Sequence, residues 1–288
     1  MTEDNSISIV NLGKLSKPAD TLIKKVSTAI GGILAPWQIK RVAKAQAEAN
    51  LIGANNEIEI TELQRRAMHR FVEEEAKRQE NMEEITKKSL TYLHDDSSPD
   101  QMDDDWVTNF FDKSRIISDD DMQIIWSQVL SGEANSPGSF SKRTVNLLSD
   151  LDKKDAELFQ TLCRFVWDLG SNHSLIPLVF DMNDEVYNEL GINFESLTHL
   201  DSLGLVNFHG LAGFKLYGLP QNLKAKYYGQ DLILRLPKDS DNVLQIGSVL
   251  LSQAGKELAN IAYTTPVNDF FDFVKLKWNG FLPTSQEK

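Results

Sequence analysis

Apolar positions near the N-terminus recur at spacings of three and four residues, beginning after Pro18. They are Leu22, Ile23, Val26, Ile30, Ile33, Leu34 and Trp37. This spacing is typical of an amphipathic helix. Gly31, Gly32 and Pro36 interrupt it. Because glycine is unfavourable inside a helix and proline lacks the backbone donor, we expect two short helices or a helical hairpin.

Residues 38–93 are rich in Ala, Glu, Lys, Arg and Gln, which predicts long helices. Acidic side chains often precede basic ones by four residues, as in Glu73 and Lys77, and each such pair stabilises a helix by about 0.2–0.5 kcal/mol. An apolar stripe runs through Ile60, Leu63, Ala67, Phe71 and Val72. This stripe needs a partner helix, from the same chain or from another copy.

Residues 94–100 combine acidic, Ser and Pro residues, a composition that indicates a linker. Helices are then expected near residues 106–112 and 118–130, and a short one ending at Leu148. Asp103–Asp105 and Asp119–Asp121 precede the first two. We interpret both runs as helix caps, because carboxylates favour the positive end of a helix, with a divalent-cation site as the alternative.

The last half of the chain mixes helices with strand-like segments. Helices are predicted at residues 152–167, 183–190, 193–203, from 252 and after 266, and strands at 205–208, 214–217, 232–236 and 244–250. This order is similar to a winged-helix module, and the last helix offers an apolar docking surface. The predicted fold class is mainly α, with long N-terminal helices, a helical middle segment and a small α+β winged-helix-like C-terminal domain. The three regions are residues 1–94, 95–150 and 151–288.

Composition narrows the class of protein. The chain has 288 residues, 41 % of them apolar, enough to build real cores. Its net charge of −12 disfavours nucleic acid as a partner of the whole surface. Cys163 is the only cysteine, which excludes an internal disulfide. The N-terminus lacks a signal-peptide pattern and no segment is long and apolar enough to span a bilayer, so we expect a cytoplasmic protein.

Charge is unevenly distributed. Residues 1–47 contain seven basic and three acidic residues, which gives a net charge of +4. Residues 95–160 contain six basic and fifteen acidic residues, which gives a net charge of −9. Within the basic region, fourteen uncharged residues lie between Lys25 and Lys40. Cations that flank an apolar segment suit a helix lying at an anionic membrane surface, here peripherally at the inner membrane.

Residues 24–41 are therefore the candidate site. The small residues Ala29, Gly31, Gly32 and Ala35 permit close helix contact. Burial in the core, or assembly with another copy or a protein partner, is therefore the preferred interpretation, and membrane contact is the alternative. The predicted interface residues are Lys24, Lys25, Ile30, Ile33, Leu34, Trp37, Lys40 and Arg41.

Catalytic motifs are absent from the sequence. There is no phosphate-binding glycine loop, dinucleotide fingerprint, His-Glu-x-x-His or serine nucleophile elbow. The five histidines have no metal-ligand spacing and Cys163 has apolar neighbours typical of a core. We therefore expect a non-enzymatic protein without metal or cofactor, with a nuclease that uses the acidic runs as a minor alternative.

The winged-helix interpretation also suggests DNA binding. The candidate recognition helix, residues 193–203, carries Glu195 and Asp201 but no Lys or Arg. Because a recognition helix brings basic or amide side chains to bases and phosphates, we expect this helix to contact protein instead.

Several segments resemble a family of uncharacterised bacterial proteins related to the abortive-infection alpha type. They are residues 15–39, 65–67, 78–81, 117–119, 126–133, 137–141 and 147–155. The resemblance covers most of residues 15–160, with a weaker similarity to about Ala262, and its motifs are structural. It implies a part in bacterial defence against phage and supplies no active site.

Together these observations predict a non-enzymatic antiphage component that acts through self-assembly, protein contacts and membrane association. The alternative is a winged-helix adaptor or transcriptional regulator that binds protein or DNA.

Overall fold

The computed structural model describes residues 16–30, 61–170 and 174–283. They divide into two units, Met1–Val145 and Asn146–Lys288, which we call the N-terminal and C-terminal units. This division lies close to the predicted start of the third region at residue 151. Residues 94–100, predicted to be a linker, pack within the N-terminal unit, where Pro99 is buried and the Ser98 N–H donates to the Ala134 carbonyl (3.0 Å).

The described part of the N-terminal unit is helical. Its α-helices are Lys17–Ala29 (α1), Glu62–Ser89 (α2), Asp104–Ser114 (α3) and Asp120–Asn135 (α4), with Lys142–Asp150 (α5) crossing the division, and its 3₁₀ helices are Leu90–Tyr92 and Pro99–Gln101. The long helix predicted within residues 38–93 is confirmed for 62–89, and residues 38–60 lie outside the described residues.

Local sequence explains where these helices begin. The Asp103 carboxylate accepts the Trp106 N–H (2.7 Å), and Asp119 accepts the Met122 N–H (3.0 Å). Each side chain satisfies a donor that the helix itself leaves unpaired. Both acidic runs thus contain the N-cap residue that the sequence predicted.

Aromatic side chains of α3 and α4 form the core of the N-terminal unit. The Trp106 ring stacks on Phe110 (5.2 Å between centroids), which meets Trp126 edge-on (5.1 Å). The Trp106 indole N–H donates to the Phe140 carbonyl (2.7 Å). The buried Glu133 carboxylate accepts the Gly138 and Phe140 N–H groups, which ties the loop after α4 to the helix.

The C-terminal unit is a mixed α/β structure. Its helices are Lys153–Cys163 (α6), Glu185–Asn188 (α7), Phe194–Ser202 (α8), Gln253–Ala259 (α9) and Phe270–Lys277 (α10), with a 3₁₀ helix at Asn279–Phe281. Its strands are Val166–Leu169 (β1), Ser174–Pro177 (β2), Val206–Phe208 (β3), Phe214–Leu219 (β4), Asn222–Tyr227 (β5), Gln230–Arg235 (β6), Asn242–Gly247 (β7) and Val249–Leu251 (β8).

The strands pair antiparallel. One sheet has the order β2-β1-β5-β6, and two further pairs are β3-β8 and β4-β7. In β5 and β6 alternate side chains are buried, so that Leu223, Ala225 and Leu234 face the core while Lys224 and Ile233 face outward. This alternation is the pattern of a sheet with one covered face.

The predicted fold class, mainly α with a small winged-helix-like domain, was wrong. Of the described residues 53 % are helical and 17 % are in strands, and the C-terminal half contains an antiparallel sheet of four strands. The sequence prediction placed the start of β1, Val166 and Trp167, at the end of a helix and did not identify β2 or β5 as strands. These strands are four to six residues long and pair with strands that are distant in sequence, as β1 does with β5. Local periodicity does not reveal such pairing.

The last helix, α10, docks within its own unit. Phe270, Val274 and Trp278 are buried. The Phe270 ring meets Phe165 edge-on (4.9 Å), and the Trp167 ring stacks on Phe271 (5.5 Å). The apolar surface predicted for this helix is therefore largely occupied by the C-terminal unit itself.

A hydrogen bond between His199 and Asp155 links α6 to α8 and makes this unit sensitive to acid. The His199 ring lies 2.6 Å from the Asp155 carboxylate, which also accepts the Asp152 N–H (3.1 Å). Burial raises the pKa of Asp155, but the hydrogen bonds and the charge of His199 outweigh it, so the pKa lies below its ordinary value of 3.8. A carboxylate with a lowered pKa stabilises the fold above its unfolded pKa, and that contribution is lost as the pH falls through the folded pKa.

Asp155→Asn is accordingly expected to cost about 1 kcal/mol at pH 7, the typical contribution of one or two hydrogen bonds. The difference from the unaltered chain should shrink as the pH falls below 3.8 and through the lowered folded pKa, because Asp155 then becomes protonated and is uncharged like asparagine. Urea unfolding at pH 7 and pH 3 measures this. The exposed Glu157→Gln is the control, and an equal cost for Asp155→Asn at both pH values would contradict the assignment.

Candidate functional site

The described part of the predicted interface lies on α1. The Lys24 ammonium pairs with Asp20 on the same helix (2.6 Å), and Lys25 pairs with Asp104 (2.5 Å). Ile30 caps the end of α1 and is half-buried, its N–H donating to the Val26 carbonyl (3.1 Å). The other predicted residues, Ile33, Leu34, Trp37, Lys40 and Arg41, lie outside the described residues.

The apolar side of α1 is occupied by the N-terminal unit. Ala19, Leu22 and Val26 are buried, and α1 contacts α3 and the 3₁₀ helix Pro99–Gln101. The first half of this segment, for which burial, assembly and membrane contact were the alternatives, therefore contributes to a core. A role for the segment as a whole stays a prediction.

The helix α2 has two halves with different environments. Its C-terminal half packs on α4, and Asn81, Ile85 and Ser89 are buried. The Asn81 amide donates to the Arg115 carbonyl (2.9 Å), and the Lys88 ammonium contacts Gln123 (2.9 Å) and Asp120. The N-terminal half begins with a capping box in which Thr61 and Gln64 exchange hydrogen bonds.

Large apolar side chains stand exposed on this N-terminal half. The exposed fractions are 69 % for Leu63, 63 % for Phe71 and 42 % for Met68. Asn81 follows Ala67 by fourteen residues, and Ile85 follows Phe71 by the same interval. At 3.6 residues per turn, this interval places the two members of each pair on nearly the same side of the helix. The side of α2 that is buried near its end is thus exposed over its first half, where the described residues do not cover it.

Charged side chains flank this exposed stripe, which we define as Leu63, Ala67, Met68 and Phe71. Ion pairs along the helix join Arg65 to Glu62 (2.9 Å) and Arg70 to Glu74 (3.5 Å). An apolar stripe between charges is suited to burial against another helix. The sequence indicated this stripe, but not that the same side of α2 would be covered within the chain only over the C-terminal half of the helix.

The C-terminal unit contains a cavity of about 320 Å³. Its lining includes Cys163, Asp168, Lys226, Tyr228 and Tyr263. Burial raises the pKa of the Cys163 thiol, which keeps it protonated and unreactive. The cavity therefore does not present a thiolate nucleophile.

The structure describes the positions of two predicted alternatives, a metal site in the acidic runs and DNA binding by residues 193–203. Among the described residues, no three His, Cys, Asp or Glu side chains come together as a metal site. The predicted recognition helix is α8, whose Leu197 and Leu200 are buried and whose exposed side chains include Glu195 and His199. The outward surface of α8 thus carries no Lys or Arg.

Comparison with known proteins identifies the class to which this chain belongs. Residues 65–275 match the model of a family described as protein of unknown function (DUF2806). The matched region spans most of the chain, from the exposed half of α2 through α10, and the chain belongs to this family. No curated protein matches it. No solved structure matches it either.

In the portions of the chain that the structure describes, no helix is both long enough and apolar enough to cross a bilayer.

Proposed function

We propose that this chain is a non-enzymatic component of bacterial defence against phage that acts by binding another protein chain through the exposed stripe of α2. The observation that carries the binding role is the exposure of Leu63 and Phe71 on a helix whose same side is buried further along. Burying one such side chain contributes about 1.5–3 kcal/mol, which favours a bound partner.

The context of defence is supported by the resemblance of residues 15–160 to proteins related to the abortive-infection alpha type. The proposed compartment is the cytoplasm, in keeping with a single cysteine and hence no internal disulfide. Contact of residues 24–41 with the inner membrane is less well supported than the α2 surface, because Leu22 and Val26 on the preceding turns are buried.

The double substitution Leu63→Asp with Phe71→Asp tests this function. Both side chains are exposed, so the fold should be retained, whereas a carboxylate in a buried interface costs several kcal/mol. Cells that express the full chain are expected to reduce plaque formation by at least one phage of a broad panel. The double variant should lose this protection. An interface weakened by about 3 kcal/mol corresponds to a roughly 100-fold loss of affinity for the partner.

The matched control is Ile116→Asp, which places a carboxylate at another exposed apolar position of the same unit. It should protect as the unaltered chain does. Absence of protection against every phage would overturn the role in defence, and full protection by the Leu63 and Phe71 variant would overturn the role of the stripe.

A further inference from the structure

The strand β6 lies at one end of the four-stranded sheet of the C-terminal unit. Among the described strands the order is β2-β1-β5-β6, so β6 has a strand on one side and an open side opposite. The strand at the other end, β2, has four residues and ends in Pro177, features that protect a sheet edge from further pairing. β6 has six residues, contains neither proline nor lysine, and exposes 54 % of Ile233. A strand edge of this kind is suited to pairing with a strand of another chain.

Backbone groups of alternate β6 residues point toward the open side. The two-residue turn at 228–229 closes on a hydrogen-bonded pair that includes Gln230, so the even-numbered residues of β6 bond to β5. The Leu236 N–H, which donates to the Gln221 carbonyl (2.6 Å), follows the same rule. The odd-numbered residues, whose N–H and C=O groups point to the open side, are Asp231, Ile233 and Arg235.

We propose that β6 pairs antiparallel with β6 of a second copy of this chain, with Ile233 opposite Ile233 of the copy. In this register Asp231 of each chain lies opposite Arg235 of the other, and opposite charges on facing strand positions stabilise a sheet. On the inward face Leu232 lies opposite Leu234 of the copy, and both side chains are buried within their own unit. The two sheets thus join into one, with charges outside and apolar side chains inside.

The backbone and the side chains together select this register. Odd-numbered residues can pair only with odd-numbered ones, because their groups alone point to the open side. A shift by two residues in one direction places Asp231 opposite Ile233 of the copy. A shift in the other direction places it opposite Pro237, which has no N–H to donate. A shift by four residues in either direction sets Asp231 against Asp231 or Arg235 against Arg235. Only the register centred on Ile233 sets opposite charges against each other.

The neighbouring strands contribute further charges to the same face. Asp168 of β1 lies opposite Lys226 of β5, and Lys226 lies opposite Asp231. Arg235 of the copy extends this row, in which every charge then has neighbours of opposite sign. The row continues with the uncharged Asn222 of the copy, which lies opposite Arg235 in its own chain. Charge complementarity therefore favours a second copy as the occupant of the open side.

Contacts that these side chains already make are compatible with the pairing. The Lys224 ammonium bonds to Asp231 (2.9 Å), whose side chain is 49 % exposed, and a carboxylate accepts more than one hydrogen bond. Arg235 already interacts with another group of the chain, and its five N–H donors can hold a further acceptor. Lys224 and its copy would lie three strand spacings apart, roughly 14 Å, which exceeds the screening length of about 10 Å at 0.1 M salt.

Sedimentation of the full chain measures the pairing. We expect a mass of two chains of 32.5 kDa each that returns to one chain at low concentration. Ile233→Pro removes an N–H that points to the open side and leaves the hydrogen bonds to β5 in place, so this variant should sediment as one chain at every concentration. Ile233→Thr, which keeps the N–H and a β-branched side chain, should behave as the unaltered chain.

Two sedimentation results would overturn the inference. One is a single-chain mass for the unaltered chain at every concentration. The other is a two-chain mass that persists in Ile233→Pro, because another surface would then hold the copies together.

Exchange of charges measures the register. Asp231→Arg sets arginine against arginine at both charged positions of the pair, and Arg235→Asp sets aspartate against aspartate. Each variant alone should pair at least about tenfold more weakly than the unaltered chain. A mixture of the two variants restores opposite charges at both positions, so mixed pairs should form at least about tenfold more strongly than either variant pairs with itself. Any repulsion between the new arginine and Lys226 of its own chain is the same in both cases, and a mixture that pairs no better than its components would overturn the inference.

The pairing of β6 goes beyond the proposed function and does not rest on it. The Leu63→Asp, Phe71→Asp variant leaves β6 unaltered and is expected to keep the two-chain mass. Loss of the two-chain mass in that variant would assign the contact between copies to α2 and overturn the inference. Loss of protection against phage in that variant, with the two-chain mass retained, would support both proposals separately.

Discussion

Replacing Gly247 with alanine is expected to destabilise the C-terminal unit by about 3 kcal/mol or more. Gly247 has φ +103°, a conformation that L side chains rarely adopt, and an added Cβ would overlap the Val179 carbonyl oxygen. That carbonyl also accepts the Ser248 N–H (2.8 Å), so it is not free to move away. Backbone strain of this kind costs about 1–3 kcal/mol, and the steric overlap adds about 1–3 kcal/mol.

Gly218→Ala is the matched control for this substitution. Gly218 also has a positive φ of +69°, but a Cβ added there meets nothing within 4 Å. The control should therefore cost only about 1–2 kcal/mol, the strain of the left-handed conformation. Hydrogen exchange in urea, resolved by peptide, should show β7 opening earlier in Gly247→Ala than in Gly218→Ala. Equal exchange in the two variants would contradict the close approach to Val179.

Replacing Trp126 with alanine is expected to destabilise the N-terminal unit by about 3–5 kcal/mol, the usual cost of removing a buried aromatic side chain. Trp126 is fully buried, and its ring meets Phe110 edge-on at 5.1 Å. The cavity would open between α3 and α4, which together position the C-terminal half of α2 through the contacts of Asn81 and Lys88.

Urea unfolding monitored by circular dichroism at 222 nm measures this loss, because the described part of the N-terminal unit is helical. Ile116→Ala serves as the control, since its side chain is 64 % exposed and the change should stay within about 0.5 kcal/mol. A Trp126→Ala cost below about 1 kcal/mol would mean that the aromatic cluster does not hold this unit together.

Much of the N-terminal unit could be predicted because its signals are local. The Asp103 and Asp119 caps, the four-residue charge spacing of α2 and the apolar periods of α3 and α4 each depend on residues within one or two turns. The C-terminal unit could be predicted only in part. Its helices α6 and α8 were expected, but β1, β2 and β5 are short and depend on partners distant in sequence.

The candidate site, likewise, could be predicted from the sequence only in part. Periodicity identified the stripe through Leu63 and Phe71 and stated that it needs a partner, since helical spacing alone places these side chains together. Periodicity also identified the segment after Pro18, and there the structure buries Leu22 and Val26. Two stripes with the same helical spacing thus have different environments, and the spacing alone does not distinguish them.

The sequence by itself determined the local elements of this protein: which segments become helices, where the helices are capped, and the order of charges along α2. Only the tertiary structure decided which apolar sides are covered and how the strands pair into sheets. The physical reason is that capping and helical periodicity act between residues a few positions apart. Burial and strand pairing instead depend on which segments that are distant in sequence come into contact in the fold, as Val179 and Gly247 do.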